Sequence, residues 1–458
     1  MSKILIEGCE VVVTMDDAGR EIGGGSILID GGQITWVGAG EPDPSVSRGA
    51  ARVDGRGTIA LPGLINTHHH LYQTLTRARA VDQGLFGWLK ALYPVWAGLD
   101  EEWVWTGARV GLAELALSGC STTTDHLYIF PPGRPGLLEA EIRAASEIGL
   151  RFHPCRGSMD LGASRGGLPP DEIVQDLDAI LAETEEAVRR HHDPRRGSML
   201  RLAVAPCSPF SVTRELMEAS AALARGLGVR LHTHIAETLD EEAYCRQTYG
   251  RRPMELLDDL GWLGEDVWLA HCVHLSPGDI GAMASSRSGV AWCPTSNLRI
   301  ASGVAPVRSL LDAGARVGLG VDGSASNDGG DLLAEARMGM LVQRLGGAAA
   351  MSAREVLRVA TRGGAGCLGR DDIGSLEVGK RSDIALFDVE GLAFAGAETD
   401  PVAALMFCAP QRVRDLFVEG RRVVRDRRLV RVEEDAIAAE GHRIGRRIAE
   451  GTYRRVAS

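Results

Sequence analysis

Lysine is nearly missing from this chain: of fifty basic residues, only Lys3, Lys90 and Lys380 are lysines. Only Lys90 falls between residues 58 and 376, so chemistry that needs a lysine there has a single residue to draw on. The nine cysteines, Cys9, Cys120, Cys155, Cys207, Cys245, Cys272, Cys293, Cys367 and Cys408, are scattered singly, odd in number and without a CxxC pair. That pattern is neither a disulfide framework nor a CxxC motif, and most of them read as reduced core residues. No apolar run reaches the length of a membrane span. The start, Met1 to Glu7, followed by Gly8, has an acid and a glycine where a secretion signal would need its apolar centre, so a cytoplasmic location is expected. A net charge of −11 disfavours duplex nucleic acid as a partner, because phosphate binding needs clustered cations. Aromatics make up only 5% of the chain, yet Phe86, Trp88, Tyr93, Trp96, Trp103 and Trp105 crowd into twenty residues.

The 458 residues suit a large catalytic domain with a smaller accessory one. Residues 1–57 read as short strands separated by turns such as Gly23-Gly24-Gly25, and β pattern returns at 383–388, 413–418 and 422–430. Neither end can bury a sheet alone, which predicts one discontinuous β-sandwich from 1–57 and 377–432. Between them eight apolar runs alternate with helical stretches: 58–66, 121–126, 150–156, 200–206, 229–237, 267–274, 289–297 and 316–324. Eight such units match an α/β fold, a (β/α)8 barrel over 58–376, with its active site where the strands run into their following loops. A helix is expected from Asp171 to Arg190, with Asp171 as its cap, and His191 and His192 as cations at its C-terminus. The tail 433–458, acidic first and basic last, predicts a helix packed on the body.

The reactive residues collect at the C-terminal ends of the proposed strands. Strand one runs through Leu61-Pro62-Gly63-Leu64-Ile65-Asn66-Thr67 into His68-His69-His70. Alternation lets His68 and His70 converge on one ion while His69 points away. Strand five ends with His232, His234 and Glu237, strand six with His271 and His274, and strand eight with Asp322. Three imidazoles and a carboxylate make a first-row metal set with room for water. His232 shares the inward alternation of His234 but lies lower, as a core or supporting histidine.

These motifs, PGLINTHHH, His234 to Glu237, AHCVH at 270–274 and VDGSASND at 321–328, resemble the cyclic-imidate and aromatic-amine deaminases of the amidohydrolase superfamily. The resemblance covers nearly the whole chain, including Gly374 to Ile384 where the barrel hands back to the terminal strands. It implies one divalent metal, zinc with iron as the alternative, held by His68, His70, His234 and Asp322. It also implies that Glu237, His271 and Asp322 handle protons, with His271 rather than His274 the working imidazole of strand six. Many binuclear relatives place a carboxylated lysine at the end of strand four; Ala203 to Phe210 has none, so a mononuclear site is expected. Glu237 would shuttle a proton from water to a ring nitrogen, His271 would orient the water, and Asp322 would help the amine leave.

Gln73, three residues after His70, offers both donor and acceptor to a lactam edge, as in guanine deaminases. Those enzymes carry an arginine after strand four, where this chain has Cys207-Ser208-Pro209. The stretches 71–77, 85–89, 125–128 and 206–210 are most similar to 8-oxoguanine deaminases, which implies conversion of 8-oxoguanine to urate and ammonia. Gln73, Trp88, Tyr128, Arg156, Ser158, Cys207 and His274 are the expected substrate contacts. An s-triazine, isocytosine or guanine amino- or halohydrolase is the nearest alternative, and a binding scaffold without turnover the remote one. The expected partner is a small heterocycle, and family analogy adds a homo-oligomer.

Overall fold

The computed structural model describes residues 3–408 and 411–453. Met1, Ser2 and the end of the expected C-terminal element, 454–458, lie outside the described residues. The strands, in chain order, are β1 (Ile4–Val13), β2 (Glu21–Asp30), β3 (Gln33–Ala39), β4 (Ala51–Asp54), β5 (Thr58–Pro62), β6 (Leu64–Asn66), β7 (Cys120–Leu127), β8 (Arg151–Ser158) and β9 (Ala203–Pro206). They continue as β10 (Arg230–Ile235), β11 (Val267–His271), β12 (Gly289–Trp292), β13 (Arg316–Leu319), β14 (Ile384–Asp388), β15 (Asp415–Val418), β16 (Arg421–Arg425) and β17 (Arg428–Leu429).

Strands β6 to β13 close into a parallel eight-stranded barrel, sealed where Leu319 pairs with Asn66. Their residues are buried almost without exception, as parallel strands covered on both faces require. Ile65, Cys155, Ala203, Ala205, Trp268 and Ala291 fill the inside, while the helices pack outside over a larger apolar layer. The helices start where short polar side chains catch free N–H groups. Thr213 caps Arg214–Leu227, Thr238 caps Leu239–Tyr249, and Ser276 with Asp279 forms a capping box on Pro277–Ser286.

The two chain ends build one mixed sheet of nine strands, in the order β17-β16-β15-β14-β5-β1-β2-β3 with β4 beside β1. It is a single continuous sheet whose apolar cluster joins Ile6, Ile27, Ile34, Leu386 and Phe417. The expected first barrel strand, 58–66, is divided at Gly63. Before it, Thr58–Pro62 pairs with β14 in the terminal sheet; after it, only Leu64–Asn66 belongs to the barrel. Gly63 donates its N–H to the Asp383 carbonyl at 2.9 Å, and a Cβ there would stand 2.4 Å from Ser121, so no other residue fits this crossing. The buried Arg151 of β8 ties barrel to sheet, giving both oxygens of Asp383 a hydrogen bond at 3.0 Å and Glu419 one at 2.8 Å.

The helix expected from Asp171 begins later. Asp171–Ile173 is a separate 3-10 turn, and the α-helix is Leu177–His191, capped by Asp176. At the tail, Glu434–Ala449 is helical and buries Ile437, Gly441, Ile444 and Ile448. Eight cysteines are buried and free, and Cys408 is exposed. No described helix is long and apolar enough to cross a membrane.

Candidate metal centre and active site

Three imidazoles meet at the C-terminal mouth of the barrel with their tautomers fixed by what stands behind them. His232 Nδ1 lies 2.8 Å from the Trp268 carbonyl, which can only accept, so His232 Nε2 carries a lone pair. That lone pair accepts the Nδ1–H of His68 at 2.8 Å. His70 Nδ1 donates to the His126 carbonyl and His234 Nδ1 to the Cys207 carbonyl, both at 2.7 Å. Each of the three therefore turns the lone pair of Nε2 inward. His70 Nε2 is 3.1 Å from His234 Nε2 and 3.4 Å from Asp322 Oδ1, and His68 Nε2 is 3.3 Å from that same oxygen.

Facing lone pairs and a carboxylate repel unless a cation sits among them. The donor set fits a divalent ion, with each ring oriented from behind by a hydrogen bond. Burial keeps these rings neutral, pushing His70 and His234 well below the ordinary imidazole range. Asp322 is held well below the ordinary carboxylate range although burial opposes its charge. Lys90 is exposed on the helix Leu85–Trp96, and the end of β9 offers no lysine.

The proton-handling candidates adjoin this cluster. Glu237 Oε2 lies 3.6 Å from His271 Nε2, which is 4.0 Å from Asp322 Oδ2. Burial pushes Glu237 up to about 7, with His271 opposing and Asp322 adding to the rise. Asn297 Oδ1 takes the Nδ1 of His271 at 3.0 Å and so turns Nε2 toward the carboxylates. Burial disfavours the charge on His271, yet Glu237, Asp322 and Asn297 together raise its pKa. Asp322 Oδ2 accepts from Ser296 and Ser326 at 2.5 and 3.1 Å. Four residues here hold left-handed backbone without being glycine: Ala236 (φ 51), His271 (φ 70), Cys272 (φ 51) and Asp322 (φ 63). Such conformations cost energy and here re-aim side chains at strand ends.

The cavity over this cluster is narrow, with a free volume of about 30 Å³. Its floor is His70, His234, Glu237, His271 and Asp322, its sides include Gln73, Tyr128, Cys207 and Ser208, and Leu85, Trp88, Leu89, Phe210 and Ile300 are apolar walls. Trp88 is fixed by donating its indole N–H to the Ala325 carbonyl at 2.9 Å. The structure thus brings Gln73, Trp88, Tyr128 and Cys207 to one cavity. Arg156, Ser158 and His274 are not in its wall. Arg156 faces away from the barrel axis, bonded to Gln175 and Glu183 and stacked 3.8 Å over Phe130. Ser158 is buried and gives its carbonyl to Cys207 N–H, while His274 bonds the Ser302 carbonyl at 2.9 Å. His69 points outward and is buried beside Gly111.

Sequence reasoning missed Asn297, Ser296, Glu241 and His126. His126 stands in the imidazole cluster, with a ring nitrogen within 4.8 Å of those of His68, His70 and His234. Its place after an apolar run, at the end of β7, was the available signal.

Comparison with known proteins agrees with this architecture. Residues 59–423 match the model of the Amidohydrolase family. The chain is 47% identical to an 8-oxoguanine deaminase of Pseudomonas aeruginosa, over 88% of this chain and 90% of the relative. It is 36% identical to a hydroxydechloroatrazine ethylaminohydrolase of Pseudomonas sp. (strain ADP), over 100% and 96%. The crystal structure of an atrazine chlorohydrolase from Arthrobacter aurescens TC1 complexed with zinc superposes with a TM-score of 0.91 at 38% identity, covering 96% of this chain and 100% of that one. The chain belongs to the amidohydrolase family.

Proposed function

We propose that this chain is a metal-dependent aminohydrolase that converts 8-oxoguanine and water to urate and ammonia. The observation that carries the reading is the run of Glu237, His271 and Asp322 beside three inward imidazole lone pairs, on the floor of a cavity walled by Gln73, Tyr128 and apolar side chains. The 47% identity to an 8-oxoguanine deaminase supports the substrate.

His68, His70, His234 and Asp322 would hold the ion, zinc by preference with iron as the alternative. A divalent ion in such a set supplies water with its pKa lowered to about 7. Glu237, itself near neutrality, takes a proton from the attacking water and returns it to the ring nitrogen, making the amidine carbon electrophilic. His271 Nε2 orients the water, because Asn297 fixes its other nitrogen. Asp322 passes the remaining proton to the amine, which departs as ammonia. Gln73 meets the lactam edge of the six-membered ring, and Trp88 closes over the heterocycle.

A second reading, hydrolysis of an s-triazine substituent, is supported by the likeness to the ethylaminohydrolase and the chlorohydrolase. A kcat/KM panel of 8-oxoguanine, guanine, isocytosine and an amino-triazine, read by ammonia release, separates the two. A tenfold preference for guanine or the triazine would replace the substrate assignment and leave the proton relay standing.

A further inference from the structure

Among the described residues, Gln73 Oε1 and the hydroxyl of Tyr93 are buried in the cavity wall without a hydrogen-bond partner. Tyr93 is 1% exposed and lies on the helix Leu85–Trp96, within an aromatic crowd that is mostly structural. Trp96 bonds Thr76, Trp103 bonds the Tyr72 carbonyl and Trp105 bonds Glu147, all away from the cavity. Tyr93 differs because it lines the cavity and its hydroxyl has no hydrogen-bond partner. Burial, with Cys207 and Tyr72 nearby, pushes this hydroxyl well above the ordinary phenol range, so it keeps its proton and can donate.

A buried donor without a partner is costly, and enzymes exploit that cost to reject analogues lacking the matching group. On the proposed function, Gln73 is already engaged by the lactam of the six-membered ring, with Nε2 resting 3.4 Å from the Tyr72 hydroxyl and Oε1 free to accept a ring N–H. That leaves the Tyr93 donor for a second carbonyl. We propose that Tyr93 is the specificity-determining residue of this site, its hydroxyl donating to the C8 oxygen that distinguishes 8-oxoguanine from guanine. The inference rests on the proposed aminohydrolase reading and adds the source of its selectivity: guanine enters the same cavity but leaves Tyr93 unpaired.

The test compares wild type with Tyr93→Phe, using 8-oxoguanine and guanine as the probes. Wild type prefers 8-oxoguanine, and Tyr93→Phe lowers kcat/KM for 8-oxoguanine by about 10- to 100-fold while changing that for guanine by less than about twofold. A hydroxyl with no protein partner contributes nothing to the empty fold, so the melting temperature of substrate-free Tyr93→Phe is equal to or higher than that of wild type. Equal losses on both substrates, no loss on either, or a variant that melts lower or fails to fold would each overturn the inference while leaving the aminohydrolase reading intact. Wild type that releases no ammonia from 8-oxoguanine would overturn the substrate assignment and this inference together.

Discussion

Glu241 grips the backbone on which Glu237 is mounted: its two carboxylate oxygens accept the N–H groups of Ala236 and Glu237, each at 2.8 Å. Ala236 is one of the left-handed residues, and Glu241 stands at the third position of the helix that Thr238 caps. The strain that aims Glu237 at the cavity is thus held by the next helix. Glu241→Ala leaves two buried donors unsatisfied, costing about 1–3 kcal/mol of stability for each. Misplacement of Glu237 then lowers kcat by on the order of 100-fold. Denaturant titration and steady-state kinetics check both, and unchanged kcat would show that Glu237 needs no such clamp.

The imidazoles and Glu237 separate metal binding from turnover. Glu237→Gln retains one metal per chain by elemental analysis but loses on the order of 100-fold or more in kcat. His68→Ala loses both. His232→Phe, which removes the acceptor behind His68 Nδ1, weakens metal affinity by about 10- to 100-fold without removing a ligand. Full activity in Glu237→Gln would defeat the proton relay.

A buried carboxyl pair behind the barrel wall predicts a pH-dependent stability. Asp125 Oδ1 accepts the N–H of Leu71 at 2.6 Å, and its partner Glu141 lies on the helix Leu137–Ile148. Burial raises Asp125 to about 7 and Glu141 well above the carboxylate range, with Asp125 adding to the rise of Glu141. Both fold with more protons than they carry unfolded. Their contribution is therefore complete below about pH 4 and is lost as pH rises through 7. Glu141→Gln removes one of the two titrations, so it should flatten the fall in stability between about pH 5 and 8. A wild-type curve no steeper than that of the variant would contradict the pair.

Arg156 and Trp88 make a contrast inside one assay. Arg156→Met should leave kcat/KM within about twofold, because the guanidinium serves Glu183, Gln175 and Phe130 outside the cavity. Trp88→Ala opens the cavity wall and should lower kcat/KM by about tenfold or more.

The residues that meet at the barrel mouth were legible because strand ends repeat one rule: an apolar run followed by His68, His234, His271 or Asp322 marks one end of a barrel. Glu241, Asn297 and Ser296 were not, since they come from the helices and loops that follow and act on a backbone N–H or a ring's far nitrogen. Such contacts have no periodicity to betray them. Arg156 was misplaced through neglect of alternation. Cys155 faces the barrel interior with Ala203 and Trp268, so its neighbour must face out. The break at Gly63 was hidden because an apolar run reads the same whether it serves one sheet or two. Only the approach of Ser121 and Asp383 shows that the chain changes layers there.

That break makes the terminal sheet a ruler for the catalytic floor. Pro62 is pinned opposite Ile384, Asn66 opposite Leu319, and His68 follows two residues later. A slip of one register step in the outer sheet would lift or sink His68 and His70 together, by more than coordination tolerates. The strands at the two ends of the chain therefore set the height at which half of the donor set meets the rest.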